Sequence, residues 1–99
     1  GKRYRLRLRD IFYFEIVEGR SFLYCEDRVF ECRQKLYEFE TLCRGSMLFR
    51  CSKSMILNTD KIACVRPSVS GRFDATLVNQ EKVIISHQYV GELKRMLGI

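Results

Sequence analysis

Charged and apolar residues alternate at the start of the chain, where Lys2, Arg3, Arg5, Arg7 and Arg9 interleave with Tyr4, Leu6 and Leu8. A period of two predicts a strand with one wet face. Ile11 to Val17 is rich in aromatic and β-branched residues and predicts a second strand. Glu18-Gly19-Arg20-Ser21 reads as a turn, with Phe22 to Cys25 returning as a hairpin partner. Glu26-Asp27 turns the chain again into a short strand, Arg28 to Cys32. The period then changes: between Gln34 and Arg44, Leu36, Phe39 and Leu42/Cys43 recur every three or four residues, which predicts an amphipathic helix ended by Gly45.

In the second half, Met47 to Leu57 has apolar ends around a polar insert, Arg50 to Ser54, which reads as a presented loop. Asn58-Thr59-Asp60 makes a turn, and Ile62 to Val65 predicts a strand. Pro67 to Gly71 is a turn cluster, followed by a hairpin of Phe73 to Val78 and Lys82 to Ile85 about Asn79-Gln80. Ser86 can cap a last helix whose apolar face is Tyr89/Val90, Leu93 and Met96/Leu97, with Gly98 stopping it. The pattern predicts a mostly β architecture with two short helices and no internal repeat or linker.

A chain of 99 residues, 46% hydrophobic and 30% charged, is one domain's worth of sequence able to bury a core. Its formal charge of +6 favours an anionic partner. The excess is uneven. Residues 1–40 carry nine Lys/Arg against eight Asp/Glu, and residues 41–99 carry nine against four. No run approaches the roughly 18 apolar residues of a membrane span, and the N-terminus lacks an apolar signal core. The expectation is a cytoplasmic domain without membrane contact. Because the first residue is Gly1, residues 1–99 are expected to be a single domain excised from a longer protein.

Catalysis has little to build on. His87 is the only histidine, and its neighbour Ser86 projects in a different direction at a helix start, so a nucleophile and base pair is disfavoured. The glycines are isolated, with no phosphate-cradling loop. The five cysteines are odd in number and lack C-x-x-C spacing, which argues against a disulfide scaffold or a metal cluster. Neither enzymatic activity nor a cofactor is expected. Cys25, Cys32 and Cys64 sit in strand-like runs and are expected in the core, whereas Cys51, beside Arg50 and Lys53, is a candidate for a lowered thiol pKa.

The binding candidates are clearer. Arg50, Ser52, Lys53 and Ser54 offer guanidinium, ammonium and hydroxyl groups, the donors that contact phosphates and base edges. His87, at a helix start, is placed to meet a phosphate.

These residues lie within a larger pattern. It runs from Asp10-Ile11-Phe12-Tyr13-Phe14-Glu15 through Leu36-x-x-Phe39-Glu40 and Phe49-Arg50-Cys51-Ser52-Lys53-Ser54-Met55-Ile56-Leu57-Asn58 to Val83-Ile84-Ile85-Ser86-His87-Gln88-Tyr89-Val90. In order and spacing it resembles the LytTR DNA-binding domain of bacterial transcription regulators. The resemblance implies an elongated antiparallel, sandwich-like β fold with two short helices. It also implies sequence-specific binding of promoter DNA, with loop side chains rather than a recognition helix reading successive major grooves. The implied readers are Arg20/Ser21 in the first hairpin turn, Lys53 in the central insert and His87 at the last helix start. Arg50, Ser52 and Ser54 would hold phosphates beside Lys53, and Asn58 would fix the turn beneath. Repeated sites and two copies side by side on DNA are implied as well. The first hairpin turn is short here, and His87 stands where the family often has arginine, so base preference there should differ. Two other readings are a protein-interaction or sensory module built on the aromatic first hairpin, and a small β-barrel that stacks RNA bases.

Overall fold

The strand that follows Ile11 and Phe12 sends its first two side chains, Tyr13 and Phe14, to opposite faces, and both faces are buried. In the computed structural model, which describes residues 1–99, Tyr13 and Phe14 are 7% and 0% exposed. Their strand, β1 (Tyr13–Val17), is the middle of a five-stranded antiparallel sheet with β2 (Arg20–Tyr24), β3 (Val29–Cys32), β4 (Leu48–Ser52) and β5 (Met55–Asn58), ordered β3-β2-β1-β5-β4. On one face, Phe14 joins Ile11, Leu23, Leu48 and Ile56 under helix α1 (Leu36–Leu42), whose Phe39 ring stacks on Phe14 at 4.6 Å.

The other face carries Phe12, Tyr13, Phe49, Cys51 and Leu57. It packs against a three-stranded antiparallel sheet, β6 (Ile62–Pro67), β7 (Phe73–Leu77) and β8 (Lys82–Ile85), and against helix α2 (Val90–Leu97). Tyr13 crosses between the layers: its hydroxyl donates to a Glu81 carboxylate oxygen at 2.8 Å. Desolvation together with that acceptor pushes the phenol well above its ordinary pKa. The principal extents, 43 × 26 × 24 Å, make the molecule elongated, as the resemblance implied.

Two expectations are corrected. Lys2 to Arg9 pairs with no strand; its end is a 3₁₀ turn, Leu8–Asp10. Period two records one wet and one dry side, which an extended segment lying across side chains satisfies without a ladder. Leu6 and Leu8 pack onto the Phe14 core, and the Tyr4 ring lies 5.0 Å from Phe30. Cys64 is exposed rather than in the core. A register shift between Ile62 and Cys64 reverses the inward phase of β6, so Ile62 and Val65 pack on the core instead.

Asn58 anchors the junction between the two sheets. Fully buried, it donates from Nδ2 to the Ile11 carbonyl and accepts the Asp60 amide at Oδ1, both at 2.8 Å. Replacing Asn58 with Ala strands both groups and is expected to cost about 1–3 kcal/mol of unfolding free energy in urea titration. An unchanged midpoint at unchanged slope would deny the anchor its role.

Candidate nucleic-acid interface

Antiparallel pairing of β1 with β5 sets Glu15 opposite Met55, and the Ile16 amide donates to the Ser54 carbonyl at 2.9 Å. The β1–β2 and β4–β5 turns therefore project from the same end of the large sheet. A further bond, from the Ser86 amide to the Cys51 carbonyl at 2.9 Å, brings the start of the last helical segment against the β4–β5 hairpin. Three loci far apart in sequence thus converge at one end of the molecule.

At the first, the turn is only Glu18-Gly19, with φ of 51° and 77°. Positive φ at both central residues is what a two-residue type I′ hairpin requires. Arg20 and Ser21 consequently belong to β2 rather than to the turn. Arg20 is exposed and donates from Nε and Nη2 to the two carboxylate oxygens of Glu31, at 2.9 and 2.6 Å. So exposed a pair contributes little to stability and leaves the guanidinium easily recruited by a phosphate or base. Ser21 is buried and its hydroxyl donates to the Gln34 carbonyl at 2.6 Å, tying β2 to the segment before α1.

At the second, the polar insert is mostly strand. Arg50 and Ser52 lie in β4, with a bulge between them at Cys51, and only Lys53-Ser54 form the loop. Lys53 is exposed at the tip with no ion-pair partner. Ser52 Oγ accepts the Ser54 amide at 3.3 Å.

Two residues on from Phe49 and on the same face of β4, Cys51 points inward to full burial. Burial pushes its thiol up to about 12 and outweighs the neighbouring Arg50 charge, which corrects the expectation of a lowered value.

At the third, Ser86 begins a 3₁₀ turn, His87–Tyr89, that runs into α2. His87 is exposed, and its ring lies over Gly71 so closely that a Cβ there would meet Cδ2 at 2.8 Å. Gly71 has φ of 73°. Ser52 and Ser86, with Arg72 and Lys82, line a groove of about 460 Å³ between the sheets. Glu15 also lines it, and desolvation raises its carboxyl pKa. The charge excess of residues 41–99 signalled cations such as Arg72 and Lys82 but had no means of placing them, and nothing in the sequence marked Gly71 as the seat of His87. No group of three or more His, Cys, Asp or Glu side chains is arranged to hold a metal.

A family model described as the LytTr DNA-binding domain matches residues 1–98. The sensory transduction protein LytT of Enterococcus faecalis is 26% identical over 96 residues, covering 97% of this chain. The chain spans 40% of that relative's length. A solved structure described as a LytTr DNA-binding domain from Bacillus cereus superposes with a TM-score of 0.87 at 24% identity, covering 95% of this chain and 86% of that one. The likeness bears out the mostly β fold with two short helices.

Two outcomes are expected from this geometry. Under iodoacetamide at mildly alkaline pH, peptide mass mapping should find Cys64 alkylated first and Cys51 protected until unfolding; early modification of Cys51 would contradict its burial. Gly71→Ala should displace the His87 ring, read from its NMR side-chain shifts, and destabilise the fold by on the order of 1 kcal/mol because of the positive φ.

Proposed function

The chain belongs to the LytTr DNA-binding domain family, and from that premise we propose that it reads duplex DNA sequence-specifically to regulate transcription. Lys53 is the central reader, Arg20 and His87 flank it, and Ser52 and Ser54 contact phosphate beside it. The observation that carries this reading is the convergence of the Glu18-Gly19 turn, the Lys53 tip and the His87 turn at one end of the molecule.

The physical logic follows from the side chains. A lysine on a short, fixed hairpin delivers its ammonium to guanine O6 and N7 with little backbone freedom to lose. Arg20 offers a bidentate fork to a phosphate or a guanine edge once it leaves Glu31. His87, seated on Gly71, presents an imidazole in place of such a fork. Readers carried by two neighbouring hairpin ends and a helix start form one cluster, so a single end of the domain presents three side chains to the duplex. The +6 charge supplies the sequence-independent part of the affinity. No helix is long and apolar enough to cross a membrane. Within this reading, residues 1–99 are the DNA-reading part of a longer cytoplasmic regulator, and two copies occupy repeated sites side by side.

Selection from a randomised duplex pool at fixed physiological salt should enrich a short motif, repeated about one helical turn apart. On that motif Lys53→Ala is expected to lose about 1–3 kcal/mol while hardly changing affinity for a scrambled duplex. Equal losses on both duplexes would remove Lys53 as a base reader. Effective competition by single-stranded RNA at equal salt would favour an RNA-binding module instead.

A further inference from the structure

The guanidinium of Arg50 lies behind the hairpin tip and engages three neighbours at once. Nε donates to the Ser52 carbonyl and Nη2 to the Lys53 carbonyl, each at 2.6 Å, while Nη1 meets Glu40 of α1 at 3.4 Å. Its carbon Cζ stands 5.7 Å from the centroid of the Tyr89 ring. The Arg50 side chain is 22% exposed, in contrast to the open Lys53.

The hairpin has a geometric reason to need such a brace. Two-residue loops favour primed turns, whose backbone twist matches that of the strands, and these require positive φ. Glu18-Gly19 meets that requirement, but neither Lys53 nor Ser54 has positive φ. The loop between the paired residues Ser52 and Met55 is therefore of the kind that splays its strands. The bulge at Cys51 absorbs part of the mismatch, and the Arg50 fork takes up the carbonyls of Ser52 and Lys53. Only guanidinium presents parallel donors in a rigid plane that reaches both acceptors.

We infer that Arg50 is a positioning residue, not a phosphate contact: it fixes the Lys53 turn and, through Tyr89, ties that turn to the one bearing His87. Tyr89 closes that 3₁₀ turn by donating its amide to the Ser86 carbonyl at 2.9 Å, and Ser86 itself bonds to Cys51. A single guanidinium thus sets the distance between two reader side chains. The inference rests on the DNA-reading assignment above, and it refines the role of Arg50 within it.

The test uses Arg50→Gln and Arg50→Lys. Affinities for the selected duplex and a scrambled one are measured across a salt series, and amide exchange and chemical shifts are recorded on the free protein. Arg50→Lys keeps the charge and loses the fork. Both variants are expected to lose about tenfold or more on the selected duplex, to change little on the scrambled one, and to keep the wild-type salt slope. In the free proteins the Lys53 and Ser54 amides should exchange faster, and the His87 to Tyr89 resonances should shift. Full activity of Arg50→Lys overturns the inference, as does a salt slope lowered by about one with equal losses on both duplexes, the signature of a phosphate contact. Unchanged Lys53 and Ser54 exchange in Arg50→Gln overturns it even without DNA. A wild-type protein that fails to distinguish the two duplexes counts against the DNA-reading assignment, and the free-protein exchange then decides the role of Arg50 separately.

Discussion

The bond from the Ser86 amide to the Cys51 carbonyl is the constraint on which the functional end of this protein depends. The two sheets are separate ladders, joined mainly by side-chain packing, and packing alone tolerates small slides. A directed backbone bond does not. It is available because Cys51 is the extra residue of a bulge in an edge strand, where an unpaired carbonyl is free to accept. Alternation from Phe49 sends the Cys51 side chain into the interior, which is why its thiol is held so far up.

The large sheet makes this arrangement possible by being buried on both faces over its central strands. Adjacent residues of β1 and β5 serve different cores: Tyr13 and Leu57 face the small sheet and α2, Phe14 and Ile56 face α1. Strands so held resist register slips, since a shift of one residue would exchange the two cores. The β1–β2 and β4–β5 turns inherit that rigidity. Tyr13 adds a polar tie to Glu81 across the layers, with a phenol that stays protonated throughout the ordinary pH range.

Legibility from the sequence followed the range of the interactions involved. The β1–β2 hairpin, the β7–β8 hairpin and both helices are encoded by local periodicity and by turn residues, but the Ser86 side chain makes no cap bond and the 3₁₀ turn His87–Tyr89 precedes α2. Lys2 to Arg9 misled because an extended segment packed on side chains leaves the same alternation as a strand. Cys64 misled because a bulge reversed the phase of β6. Arg20 and Ser21 slid from turn to strand because Glu18-Gly19 closes the hairpin in two residues. Once they are in β2, alternation separates them, leaving Arg20 open and Ser21 buried.

The sequence by itself determined the fold class, the sign of the charge, the family pattern and the residue types present near each turn, since all of these are properties of composition and short-range order. Tertiary structure alone decided that Glu18-Gly19, Lys53 and His87 share one end, that Gly71 seats the histidine, and that Arg50 turns its donors inward to Ser52 and Lys53. The physical reason is that each of these depends on hydrogen bonds or close contacts between residues whose identities do not announce one another. The Cys51 carbonyl that accepts Ser86 is a backbone atom every residue possesses, and only a bulge in a folded sheet makes that one available.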